Sequence, residues 1–457
     1  MPMEEEGMPR RRRASLVSTL RMRDFRRLWT ADMISLLGDW SGRLALTVLV
    51  LERTGSPGWA ASVTAVSLAG FVGIGQLLAT LGDRFGRVSV MIAADIARAA
   101  LFLAMLVHMP VGAMLLLAFL AGLATPPFEA ARSAALVDIV PEHRYGDALA
   151  LSGVSIQGSV VAGNALGGGL LVLVGARGAL TVNALSFLVS AVLIYQLRHT
   201  PASSPAGEHR SVAGSLRAGA GNLFGDRMVR RAILLISVTG ALGTVAEALV
   251  VPYASEMGLS RGLVGVLAAS VAVGTIAGTL LIARSSDHHA LLRSAGLCTV
   301  LASGAALPLF WFEVRGLGVF AGFAIAGGIF AVSIPTNIVI GTRLLRETRA
   351  SAMGIAVGVL MGSQALGAAV GGVAASVFSP SRAIAGALVL AATYGAWSVV
   401  TTPVEAKHLA GRRRVIGEPT RSEPDVVIDL DEQVQVLDLD ARGSRKRPPK
   451  RTSASVS

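Results

Sequence analysis

Leu78-Ala79-Thr80-Leu81-Gly82-Asp83-Arg84-Phe85-Gly86-Arg87-Val88 decides how this chain is read. It is a short polar turn between two long apolar runs. Asp83, Arg84 and Arg87 cannot rest in hydrocarbon, and Gly82 and Gly86 permit a tight reversal. The chain therefore crosses a membrane, turns through a few charged residues, and crosses back.

Composition extends that reading to the whole chain. Of its 457 residues, 53% are hydrophobic and only 15% charged, against about 25% charge in a soluble protein. Apolar runs of about 20 residues, the length that spans a bilayer, recur throughout. The class is an all-α polytopic membrane protein; a barrel would show short alternating segments instead. The lone Cys298 excludes an intrachain disulfide and a Cys-based zinc site. Residues 1–24 carry Glu4-Glu5-Glu6 and Arg10 to Arg13 with no apolar core before Phe25, so a cleavable signal peptide is not expected and the first span should act as the insertion signal.

Twelve transmembrane helices are expected, at about 25–51, 59–81, 88–108, 111–137, 148–174, 177–197, 229–254, 262–284, 290–312, 316–342, 350–378 and 382–403. Of 41 lysines and arginines, Arg53, Arg177, Arg261, Arg315 and Arg382 fall on one side of this arrangement and Arg43, Arg98 and Arg132 within spans. The rest face the other side, which places both termini in the cytoplasm by the positive-inside rule. The same placement explains the net charge of +12 without nucleic acid as a partner. Residues 198–228 read as a cytoplasmic linker with a short amphipathic helix around 212–224. The tail, 404–457, alternates apolar and acidic residues and ends in the basic block Arg445–Arg451. Disorder is expected there; the alternatives are a hairpin, or a segment that contacts lipid or a partner.

The chain also carries a weak internal repeat. Adding 204 to a residue number carries Asp83 to Asp287, in a second polar turn. The same offset carries Ser159, Gly163, Gly167 and Gly168 to Ser363, Gly367, Gly371 and Gly372. Two landmarks sharing one offset point to two pseudo-symmetric six-helix bundles, 25–197 and 229–403, as in transporters built from repeats.

Ionisable residues inside spans are costly and are functional candidates for that reason. In the first span Asp32, Asp39 and Arg43 stand at intervals of seven and four, so they share one helix face. A substrate or proton role and a structural Asp39–Arg43 pair are both open. Asp95 and Arg98, three apart, read as a local structural pair. Glu129 and Arg132 can pair on one face of the fourth span, where Pro126-Pro127 should bend the helix. Asp138 sits at that span's inner end. Glu247 is the one acid deep in the seventh span. Small residues from Ser159 to Gly169, and Gly367 and Gly371 in the repeat, let helix backbones approach closely. No Walker-type phosphate loop, spaced metal cluster or catalytic triad stands out, so neither cofactor nor enzymatic activity is expected.

The turn at Leu81, Asp83, Arg84, Gly86 and Arg87 resembles the loop between helices two and three of the major facilitator superfamily of secondary transporters. Ala79 and Val88 depart from that pattern, where a glycine and a basic residue are usual. The resemblance implies that Asp83 and Arg87 latch one state of the transporter, with Asp138 as a partner. It also implies that the first and seventh helices border a central cavity; Arg43 and Glu247 could meet across it, or Glu247 could hydrogen-bond within its own half. The fifth span resembles the glycine-rich motif of exporters in the family, with Asn164 in place of its proline. Phe25-Arg26-Arg27-Leu28-Trp29, Gly38-Asp39-Trp40, Leu51 to Pro57 and Asn183-Ala184-Leu185-Ser186-Phe187 resemble the macrolide and siderophore exporters.

The expectation is a proton-driven efflux transporter of the cytoplasmic membrane, working by alternating access on an amphipathic small molecule. An importer or uniporter of the same fold, and a non-transporting membrane sensor or scaffold, are the alternatives.

Overall fold

The computed structural model describes residues 19–73, 75, 78, 85–197, 212–284, 291–344 and 349–402. Asp83, Arg84, Asp287 and the tail lie outside them. Among the described residues ten helices are long and apolar enough to cross a membrane, and regular structure is entirely helical.

The N-terminal helices are α1 (Arg23–Thr54), α2 (Pro57–Ala69), α3 (Arg87–Ala104), α4 (Val111–Leu123), α5 (Thr125–Ile139), α6 (Glu142–Leu173) and α7 (Gly175–Tyr195). The short α8 (Val212–Gly225) lies where an amphipathic linker helix is expected. It is followed by α9 (Arg227–Ala248), α10 (Val250–Glu256), α11 (Arg261–Arg284), α12 (Leu291–Trp311) and α13 (Leu317–Gly327). A 3-10 turn at Gly328–Val332 joins α13 to α14 (Ser333–Arg343), and α15 (Arg349–Val377) and α16 (Pro380–Thr401) complete the chain.

Two expected spans fall outside the ten. The second is described as a helix only to Ala69, and the third carries Arg87, Asp95 and Arg98 within 18 residues.

Local chemistry sets the helix ends. Gly55 closes α1 at φ 63°, a left-handed conformation that glycine adopts without strain. Pro57 then opens α2, where its missing N–H costs nothing. Gly86, at φ 84°, turns the chain into α3. Asp226 caps α9 by accepting from the amides of Met228 and Val229, and Ser379 caps α16 by accepting from Arg382 N.

The fourth span breaks at Ala124, immediately before Pro126-Pro127. The expected proline effect is thus a helix divided in two rather than a smooth bend. The tenth span breaks at Gly328 into a 3-10 turn, where Pro335 lacks the N–H that would bond Ala331 O, and residue 328 is residue 124 plus 204.

The repeat is visible atom by atom in the packing. A Cβ added at Gly163 would lie 3.1 Å from Leu37 O, and one at Gly367 would lie 2.0 Å from Ala241 O. One at Gly167 would lie 3.0 Å from Ser41 Cα, and one at Gly371 would lie 2.7 Å from Val245 Cγ1. Gly168 packs against Gly262 and Gly265, as Gly372 packs against Gly58 and Ala61. Every contact in one set maps onto the other by adding or subtracting 204. Two copies of one helix arrangement thus meet through their glycines, where close backbone approach gains dispersion energy that lipid cannot replace.

These crossings also join N-terminal to C-terminal helices. At the end of the molecule bearing Gly55 and Ser379, α2 packs on α15 and α6 on α11. There Arg261 reaches Glu52 at 2.7 Å, and Gly58 N donates to Ser376 Oγ at 2.9 Å. Val72 against Gly362 carries the contact toward the middle of α15. The molecule is closed at this end.

Candidate functional site

The charged residues gather among α1, α3 and α5. Their mates under the repeat are almost all neutral: Asp32, Asp39, Asp95, Arg98, Glu129 and Arg132 map onto Ile236, Gly243, Thr299, Ala302, Ser333 and Thr336. Within these clusters Arg43 alone maps onto a charged residue, Glu247, whereas at the ends of α1 Arg26, Arg27 and Glu52 map onto Arg230, Arg231 and Glu256. The frame is duplicated and the charge of the clusters is not.

Arg132 is the centre of the first cluster. Its Nε and Nη2 donate to Glu129 Oε2 at 3.1 and 2.8 Å, and its Nη1 lies 3.3 Å from Asp32 Oδ2 on α1. The Asp32 side chain is 5% exposed, whereas Glu129 is 36% exposed. One guanidinium therefore holds two carboxylates, one deeply buried and one reaching toward solvent. The local Glu129–Arg132 pair follows from their spacing. The Asp32–Arg132 bridge spans two helices and does not follow from spacing along either one. Only the rotation of α1 against α5 turns Asp32 inward.

The second cluster is on α1 itself. Arg43 Nη2 donates to Asp39 Oδ2 at 3.1 Å, and its guanidinium lies 4.7 Å from the Trp40 ring centroid. Glu247 makes no direct ion pair among the described residues, but Arg43 is the charge that acts on it across the space between α1 and α9.

The third cluster was underweighted by sequence reasoning. Asp95 and Arg98 are both essentially buried and bonded to one another. The Arg98 guanidinium lies 4.6 Å from the Phe128 centroid and 4.4 Å from that of Phe187. The cation thus lies within cation–π distance of two aromatic rings. A clue was available, since an Asp and an Arg one turn apart in an alanine-rich run must be satisfied inside the protein.

Asn183 is a further buried polar group, packed by α7 against Gly38 and Gly42 of α1.

At the turn, Arg87 bonds Asp138 and also donates to Ala134 O at 3.0 Å. That contact ties the start of α3 to the end of α5. The other expected members of the latch, Asp83 and Arg84, lie outside the described residues.

Buried, oppositely charged groups within membrane-length helices, around a twofold repeat closed at one end, define a polytopic membrane protein with a polar interior. The chain belongs to the Major Facilitator Superfamily, whose family model matches residues 28–260. It is 26% identical over 374 residues to YfiS, an uncharacterized MFS-type transporter of Bacillus subtilis (strain 168), a match covering 78% of this chain and 88% of that one. Among solved structures it resembles the nucleoside transporter NupG, with a TM-score of 0.63, 15% identity and coverage of 82% and 99% of the two chains. It also resembles a D-xylose–proton symporter, with a TM-score of 0.61, 15% identity and coverage of 83% and 98%. At that identity these structures speak for the fold. The protein is a membrane transporter of this type.

Proposed function

We propose that the protein is a proton-driven exporter of an amphipathic small molecule, of the macrolide- and siderophore-exporter kind. In this reading it sits in the cytoplasmic membrane with twelve spans, a cytoplasmic linker at 198–228 and both termini inside. The observation that carries the reading is the asymmetry of charge. The N-terminal copy of the repeat holds Asp32, Asp39, Glu129, Arg43 and Arg132, while at the matching positions the C-terminal copy contributes Glu247 alone.

Asp32 is the proposed proton carrier. A neutral Asp32 would release Arg132 to Glu129 alone, loosening α1 from α5, so proton binding and helix position are linked. Asp39, Arg43 and Glu247 are proposed to line the substrate pathway. Arg43 exchanges Asp39 for Glu247 as the two helix sets rock, which requires a stage at which neither pairing is complete. Asp83, Arg84, Gly86, Arg87 and Asp138 form the proposed latch of the cytoplasmic end. The closed end described above is then the outer one.

The test is proton flux in inverted vesicles holding a pH gradient, with macrolides, siderophores and lipophilic cations added in turn. Wild type is compared with Asp32→Asn, Asp39→Asn and Glu247→Gln. Gradient collapse on adding one compound, lost in Asp32→Asn, supports the reading. No response to any compound from folded protein would overturn it.

One observation favours a second reading, proton-coupled import. Asn164 stands where exporters of the family carry a proline, and its Nδ2 donates within α6 to Val160 O at 2.9 Å, in a helix that runs unbroken. Uptake of labelled compounds into right-side-out vesicles separates the two directions.

A further inference from the structure

Between the second and third clusters lies a cavity of about 30 Å³, room for one or two water molecules. Its polar walls are Asp39 and Arg43 of α1, Arg98 of α3, Ser67 of α2 and Thr125 of α5. Two observations make it a built site. Arg98 is 5% exposed and lines the cavity, and Asp95 engages only its Nη2. A buried guanidinium N–H left unmet is costly, so a polar cavity against it is a place for water. The Ser67 hydroxyl donates to Val63 O and its oxygen still accepts, so Ser67, Thr125 and Asp39 are the side-chain acceptors among the lining residues.

We propose that this cavity is a water site and that Arg98 is a positioning residue, joining the Asp39–Arg43 pair to the Asp95–Arg98 pair through water held between its guanidinium, the Asp39 carboxylate and the Thr125 hydroxyl. The inference deepens the proton-coupled reading above and rests on it for its role in transport. Arg98 and Asp95 both act electrostatically on Asp32. A change of charge at Asp32 therefore reaches Asp39 by way of Arg98, although the two carboxylates are seven residues, or roughly 10 Å, apart along α1.

The groups facing Arg98 are few. Its own helix supplies Asp95, α1 supplies Asp39 and Arg43 at the cavity and Asp32 beyond, and α5 supplies Phe128, with Glu129 and Arg132 acting on Asp32. Phe187 and Ser190 of α7 bring no charge.

The experiment is a double-mutant cycle on purified protein in detergent, read as thermal denaturation midpoints at about pH 5 and pH 8, and it needs no transport. Asp32→Asn and Asp39→Asn are made singly and together in three backgrounds: native, Arg98→Gln and Thr125→Val. Thr125→Val preserves shape and removes the hydroxyl, so it serves where Arg98→Gln does not fold. At the separation of Asp32 and Asp39, independent effects add. In the native background the double variant is expected to differ from additivity by about 2 °C or more, with a different excess at the two pH values. That excess vanishes in the Thr125→Val and Arg98→Gln backgrounds. Additive behaviour in the native background, or an excess untouched by Thr125→Val, overturns the proposal. Because the cycle is independent of flux, it can succeed while the vesicle experiment fails, and the reverse.

Discussion

Gly265→Ala should unlock the closed end of the molecule. Gly265, on α11, faces Gly168 on α6, and a Cβ added there would lie 2.5 Å from Asn164 O and 2.5 Å from Gly168 Cα. Both obstacles are backbone atoms and cannot rotate away. Ordinary contact begins at 3.4 Å, so the two helices must part by about 1 Å. Overpacking of this kind costs about 1–3 kcal/mol. The cost falls only on the state in which the helices touch, so the balance between closed and open forms should shift roughly five- to 150-fold toward opening at this end.

The assay is the distance between spin labels at Ser56 and Ser379, placed in a Cys298→Ser background. Longer distances should gain population in Gly265→Ala. Gly169→Ala is the control, because nothing lies within 4 Å of its added Cβ; it should match the parent. If Gly265→Ala gives the parental distance distribution with an unchanged denaturation midpoint, this crossing does not seal the end and the reasoning fails.

Arg132→Gln leaves Asp32 buried without its cation, a loss of about 3–5 kcal/mol for a broken buried pair. The denaturation midpoint should fall, and adding Asp32→Asn should restore most of it. Gly42→Ala drives a Cβ to 2.2 Å from Asn183 Nδ2 and should cost about 1–3 kcal/mol, which Asn183→Ala in the same chain relieves because it empties the space. Glu52→Gln removes the ion pair at the closed end, whose side chains are 41% and 59% exposed. Such a pair contributes at most about 1 kcal/mol, so the spin-label distances should change far less than in Gly265→Ala, and raising the salt should erase the difference.

The spans were legible because their information is local. Whether 20 residues cross a bilayer depends on those residues and on a uniform solvent, so the expected span at 111–137 and the observed Val111–Ile139 nearly coincide. The repeat was legible too, since glycines that must touch a neighbour's backbone cannot drift, and one offset relates both sets. Pairs within one turn, Glu129–Arg132 and Asp39–Arg43, follow from helical spacing alone.

What the sequence could not decide is which face of each helix turns toward which neighbour. Asp32 and Arg132 stand 100 positions apart and meet only because α1 and α5 are rotated and crossed in a particular way. The burial of Arg98 against two phenyl rings, one from α5 and one from α7, has the same origin. The helix break at Gly328, by contrast, is marked in the sequence as that at Ala124 is, by a proline at the third position of the helix that follows, Pro335 of α14 and Pro127 of α5. Hydropathy fixes the depth of a residue in the bilayer; its azimuth, and so its partner, is set by helix packing, in which small differences in steric fit choose among orientations that lipid treats alike.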